Sequence, residues 1–338
     1  MADREWAGTT YGNAWMHEWL ICMLLHIDVR ILYLFVAIFI IPVCLVLNPS
    51  RGIAYRYFRR RIGYGRLKSA WKTYVNHCLF GQVVVDKFAM YAGKRFDVEI
   101  ENYNEFASRA LKKEEGFVQL SAHIGSYEIA GYTLAAKEKH IYALVFSGEK
   151  ASVMQNRNKM FADTNIKMIA IRPDMSHLFE IDQALADGQI VSMPADRISG
   201  SQKCIEHIFL GAKAKFPLGP FSVATMRGLD VLAVNVMKVS LRGYRIFVAP
   251  LHYDKAASRQ EQIRQLSSAY AKELEKRVRQ YPTQWYNYFE FWQEGYKYDS
   301  RIGHQHNIAP WLHNGGELSG SHVWPFCPET LRGSMGPA

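Results

Sequence analysis

Seventeen consecutive uncharged residues, Ile31 to Leu47 (ILYLFVAIFIIPVCLVL), constrain this chain more than any other feature. As an α-helix the run is about 25 Å long, at the lower edge of what crosses a hydrocarbon core. Pro42 should kink it. Leu20 to Ile27 is also largely apolar, but Asp28 and Arg30 separate the two runs. Acidic Asp3 and Glu5 and the lack of a small-residue cleavage site argue against a signal peptide. On the far flank Arg51, Arg56, Arg59, Arg60, Arg61, Arg66, Lys68 and Lys72 alternate with Tyr55, Tyr57, Phe58, Tyr64 and Trp71. Aromatic rings suit the headgroup level, and clustered Lys/Arg marks the cytoplasmic side and attracts anionic lipid. A buried helix beside a solvated basic neighbour would show the same pattern. The expectation is a single-pass or re-entrant anchor at an anionic membrane surface, with the rest of the chain cytoplasmic.

Charge agrees with that placement without deciding it. Lys+Arg 41 against Asp+Glu 31 leaves a net charge of +10, which suits nucleic acid, anionic lipid or an acidic protein. Because the basic residues adjoin a lipid-grade helix, no nucleic-acid partner is expected. Cys22, Cys44, Cys78, Cys204 and Cys327 form no CxxC pair, which fits neither a zinc site nor a disulfide framework. Neither a bound cofactor nor a metal is expected.

From about Phe96 onward, strand-like and helical patterns alternate. Residues 116–122, 141–146, 166–171 and 190–193 read as strands, and 231–239 with 244–248 as a strand pair across Arg242-Gly243. Residues 129–137, 175–186, 217–228 and 257–280 read as helices. Such alternation predicts an α/β fold, a mixed sheet flanked by helices, preceded by the N-terminal anchor helix. The expected divisions are an anchor with its basic aromatic flank at 1–72, a catalytic domain at 73–299 and a loosely ordered tail at 300–338. His304, His306, His313 and His322 in that tail have no regular metal-ligand spacing.

The chemistry centres on His123 and Glu128, five positions apart in H-I-G-S-Y-E. Acyl transfer to a hydroxyl or amine needs a base for the proton and a group that orients the base. Spacing alone says little, because His177 and Asp182 (H-L-F-E-I-D) repeat it inside an expected helix. There, five residues turn the side chains roughly 140° apart, so His177 reads as a helix-surface residue. His123 instead follows an apolar strand, and Gly125-Ser126 opens a helix, which lets the strand end turn His123 back over Glu128. Backbone N–H groups of that turn could also hold a developing oxyanion.

S-A-H-I-G-S-Y-E resembles the H-x4-E block of the late lipid A acyltransferases, the bacterial lauroyl and myristoyl transferases. These belong to a glycerolipid acyltransferase-like superfamily that more often carries H-x4-D. Met193-Pro194-Ala195-Asp196-Arg197 resembles the family's Pro/Asp segment, and Ile208 through Pro220 its F-F-G…G-P segment. Pro282-Thr283-Gln284-Trp285 resembles its closing P-E-Q block. The resemblance covers roughly residues 5–295 and implies His123 as general base, Glu128 as the group that orients it and stabilises the imidazolium, and Asp196 as a supporting residue. Arg197, beside Asp196, is a candidate contact to an anionic part of donor or acceptor. The implied donor is acyl carrier protein or acyl-CoA, the acceptor a lipid such as a lipid A precursor, and the location the cytoplasmic face of the bacterial inner membrane. After Trp285 this chain reads Y-N-Y-F-E-F-W, where lipid A enzymes tend to have a basic cluster. That ending and Trp6-x-Gly8-x-Thr10-x-Gly12-Asn13 look closer to relatives in aryl polyene, flexirubin-type and aminolipid pathways.

Two other readings compete. A non-catalytic lipid-binding or assembly protein could keep the same fold. A metal-dependent hydrolase would use His177, Asp182 and the tail histidines.

Overall fold

The computed structural model describes residues 14–48, 51–112, 114–127, 129–130, 134, 139–146, 165–172, 174–198 and 203–292. The tail expected at 300–338 therefore lies outside the described residues, as do its four histidines.

Apolar strand sequences build one sheet buried on both faces. Its strands are β1 (Asp97–Glu101), β2 (Phe117–Ser121), β3 (Ile141–Phe146), β4 (Ile166–Ile171), β5 (Ile190–Pro194), β8 (Asp230–Lys238) and β9 (Gly243–Leu251). They run in the order β1-β9-β8-β2-β5-β3-β4, parallel except for the antiparallel β8–β9 pair. Near-continuous apolar runs such as Val231 to Val234 are what a strand covered on both faces requires. One core around Val118, Leu120, Val191 and Ala233 packs on the first face, and another around Phe117, Ile190, Leu232 and Tyr244 on the second. β6 (Cys204–Phe209) and β7 (Ala212–Pro217) form a separate antiparallel hairpin that the sequence reading did not assign to strands. Its turn, Leu210-Gly211, has both φ angles positive (49° and 79°), the twist a two-residue hairpin needs.

The helices are α1 (Ala14–His26), α2 (Val29–Leu47), α3 (Arg51–Arg56, widening to a π-helical turn at Tyr57–Arg61), α4 (Arg66–Tyr91), α5 (Tyr103–Ala110), α6 (His177–Ala186), α7 (Leu218–Met226) and α8 (Arg259–Gln280). The Ser258 hydroxyl accepts the Glu261 amide at 3.4 Å and caps the long α8. Within α2 a π-helical turn at Val36–Ile40 precedes Pro42. Widening the helix there gives the proline ring room where a regular turn would clash with a carbonyl. The 26-residue α4 runs unbroken through residue 72, where the anchor was expected to end. Tyr57 and Phe58, expected at headgroup level, lie in the main core instead, with Phe58 0% exposed. The apolar demand of Trp285, Phe291 and their neighbours draws them inward.

Candidate active site

His123 and Asp196 occupy matching places on neighbouring parallel strands. β2 and β5 pair in register up to Ser121 opposite Pro194, and each residue lies two positions beyond. The Ala195 amide bonds the Ser121 carbonyl at 3.0 Å, which carries the register past the strand ends. Carboxyl ends of parallel strands are where open α/β sheets present ligands.

Two contacts join the pair. The imidazole Nδ1 lies 2.7 Å from Asp196 Oδ1, and the His123 amide donates to Oδ2 at 2.9 Å. Trp285 Nε1 reaches the same Oδ2 at 3.5 Å. Asp196 is 1% exposed, whereas the His123 side chain keeps 27% of its surface. With a carboxylate on Nδ1, the neutral imidazole carries its proton there and leaves Nε2 as the acceptor. Burial lowers the His123 pKa below the ordinary imidazole value and Arg197 lowers it further, against the raising effect of Asp196. The base form is therefore ready at neutral pH. Burial works to raise the Asp196 pKa, but His123, Arg197 and the His123 amide together hold it below the ordinary carboxylate value.

Glu128, expected on this imidazole, lies outside the described residues. Strand pairing delivers Asp196 to Nδ1, a relation between positions 73 residues apart that local spacing could not show. The decoy pair does not meet: Asp182 takes Arg227 in a two-point contact at 2.8 and 2.9 Å. His177 is buried, not a helix-surface residue, because it opens α6 and its Nδ1 accepts the Arg172 amide at 3.2 Å. Among the described residues, no group of three His, Cys, Asp or Glu is placed to hold a metal.

The turn after His123 is laced into the body. Gly125 has φ +60° and packs so tightly that a Cβ would fall 1.7 Å from the Val236 carbonyl oxygen. Its amide donates to Gln284 O at 2.8 Å, and the Ser126 amide to Val236 O at 2.9 Å. Those two N–H groups are thus committed to the scaffold and unavailable to the oxyanion expected there. Gln284 also pairs its side-chain amide with both backbone groups of Lys238, at 2.7 and 2.8 Å. The Tyr286 amide donates to the His123 carbonyl at 2.9 Å. Residues 284–286 thus clamp the histidine turn against the end of β8. The only sequence sign of this was the closing motif around Gln284-Trp285.

Arg197 is half-buried beside the dyad, with Nη2 donating to Tyr286 O at 2.7 Å and its guanidinium over the Phe289 ring. Burial lowers its pKa, against Asp196. The aromatic ending has a packing role: Trp285 meets Tyr57, Phe209, Phe291 and Trp292.

A family model described as bacterial lipid A biosynthesis acyltransferase matches residues 84–293, well over half the chain and inclusive of the whole site. No curated protein matches the sequence. Among solved structures, the crystal structure of the 1-acyl-sn-glycerophosphate (LPA) acyltransferase PlsC from Thermotoga maritima is similar. It is 14% identical, with 81% of this chain and 100% of that chain covered at a TM-score of 0.36.

Proposed function

Because the chain belongs to the bacterial lipid A biosynthesis acyltransferase family, we propose that it moves a fatty acyl group from a thioester to a lipid acceptor. The donor would be acyl carrier protein or acyl-CoA, and the acceptor a hydroxyl or amine of a lipid such as a lipid A precursor. The two-point contact between His123 and the buried Asp196 carries this reading. His123 Nε2 takes the proton as the acceptor oxygen or nitrogen attacks the thioester carbonyl. The C–S bond then breaks, and the imidazolium gives that proton to the departing thiolate, which leaves as the thiol and restores the base. Asp196 fixes the tautomer and stabilises the imidazolium. Glu128 is proposed as a second carboxylate whose charge adds to that stabilisation, supported by the H-x4-E spacing. Arg197 is proposed to place positive charge near an anionic part of donor or acceptor.

Membrane attachment through α2 at the cytoplasmic face of the inner membrane belongs to the same proposal. It is supported by 19 residues long and apolar enough for a span. An acidic carrier protein would suit the +10 chain. His123→Ala should abolish acyl transfer in purified protein and leave membrane recovery unchanged. Turnover retained by that variant would overturn the assignment. A wild-type protein inert towards every acyl thioester would point instead to a lipid-binding or assembly role.

A further inference from the structure

The start of α2 is fastened to the folded body, and ten residues past its far end the chain is inside that body again. At its start, Val29, Leu32 and Tyr33 are buried against Val85, Phe88 and Ala89 of α4. The Tyr33 hydroxyl bonds Asp86, which also takes Lys238 from the end of β8 and the Tyr244 hydroxyl from β9. Lys238 Nζ donates to the same Tyr33 oxygen at 3.2 Å. The start of the apolar helix is thus tied to the sheet through a buried ion pair.

Contact with α4 continues along the helix. A Cβ on Gly81 would come 2.8 Å from Val36 Cγ1, and Tyr74 donates to the Ala37 carbonyl at 3.0 Å. Tyr57 donates to Pro282 O at 3.0 Å and Phe58 enters the main core. A helix that crossed a bilayer would need its ends on opposite faces. Here one end rests on the sheet, and ten residues past the other the chain is inside the same body.

We infer that α2 dips into one leaflet of an anionic phospholipid bilayer and leaves by the face it entered. This rests on the membrane reading given above and specifies its geometry. The side of α2 turned from α4 presents Leu34, Phe35, Ile38, Phe39, Val46 and Leu47, all exposed. At its base the exposed Arg51, Arg59, Arg60, Arg66 and Lys68 supply positive charge for anionic headgroups. Leu67 (89% exposed) and Trp71 (60%) stand among these cations, the mixture an interfacial surface uses. His26 and the sheet then lie on the same side of the membrane.

Single-cysteine variants in a cysteine-free chain test this: His26→Cys before the helix and Gln260→Cys on α8, both exposed positions. An impermeant maleimide should label both in inside-out vesicles and neither in spheroplasts. Labelling of His26→Cys, but not Gln260→Cys, in spheroplasts would overturn the one-leaflet geometry alone. Recovery of the protein in the soluble fraction would overturn the membrane reading and this inference with it. A fluorophore on a variant that keeps Cys44 as its single cysteine gives a second readout in asymmetric phosphatidylglycerol vesicles carrying nitroxide lipid in one leaflet. Quenching from the leaflet on the sheet's side supports the inference, and stronger quenching from the far leaflet overturns it.

Discussion

Replacing Asp196 by asparagine isolates the electrostatic half of the proposed dyad, because the two side chains have nearly the same shape. The carboxylate accepts the Nδ1–H and the amide of His123, with Trp285 Nε1 a longer third donor. An asparagine can accept only with its oxygen. Its NH2 must then face one of those N–H groups, or the imidazole must change tautomer and place its proton on Nε2, where a base cannot carry it. The charge itself is lost as well. At about 4 Å between charge centres and an effective dielectric near 20, a carboxylate stabilises an imidazolium by about 4 kcal/mol. The imidazolium forms as the acceptor attacks, so nearly all of that falls on the transition state, roughly a thousandfold in kcat. The pH profile should move too. Without Asp196, burial and Arg197 both lower the imidazole pKa unopposed, so the acid limb of kcat/KM should shift to lower pH. Acyl transfer from a purified thioester donor, followed across pH, reads both effects, with thermal unfolding as the control for folding. An Asp196→Asn enzyme within about threefold of wild type and with an unmoved acid limb would refute the reasoning.

Further outcomes follow from the same contacts. Gly125→Ala forces a Cβ onto the Val236 carbonyl at a positive φ, and should cost at least about 3 kcal/mol in thermal unfolding along with most activity. Lys238→Met strands Asp86 inside the protein and should cost about 3–5 kcal/mol, whereas Asp86→Leu with Lys238→Met should recover most of it. If single and double variants melt alike, the ion pair is not what ties α2 to the sheet. Because burial lowers the folded-state pKa of His123, its contribution to stability is full above the unfolded value of about 6.5 and declines as pH falls through it. His123→Gln should therefore flatten the acid limb of a Tm-against-pH curve, and an unchanged slope would count against a buried neutral imidazole. Deleting residues 300–338, or adding a chelator, should leave acyl transfer intact; loss of activity in either case would revive a metal-dependent reading.

Much of the fold was legible because its signals are local. The strands at 141–146 and 166–171 begin and end where the apolar runs do. The strand pair about Arg242-Gly243 and the long charged helix read at 257–280 also stand in the structure, the helix beginning two residues later at Arg259 behind a Ser258 cap. His123 was found by its place after an apolar strand and by the family motif around it. The β6–β7 hairpin escaped because polar residues interrupt its apolar ones, in C-I-E-H-I-F and A-K-A-K-F-P.

What sequence could not decide is which distant groups meet. The carboxylate on His123 comes from Asp196, since only the pairing of β2 with β5 brings those strand ends together. The N–H groups of Gly125 and Ser126 serve the scaffold because residues 284–286 and the end of β8 close on that turn. The uncharged run at Ile31–Leu47 determined by itself that the chain carries an apolar helix, since composition and length are local properties. Where that helix goes is tertiary: Tyr33 on Asp86 and Lys238 holds its start, and Phe58 in the main core brings the chain beyond it back to the same body. Hydropathy measures what a segment avoids, whereas packing fixes where its ends are held.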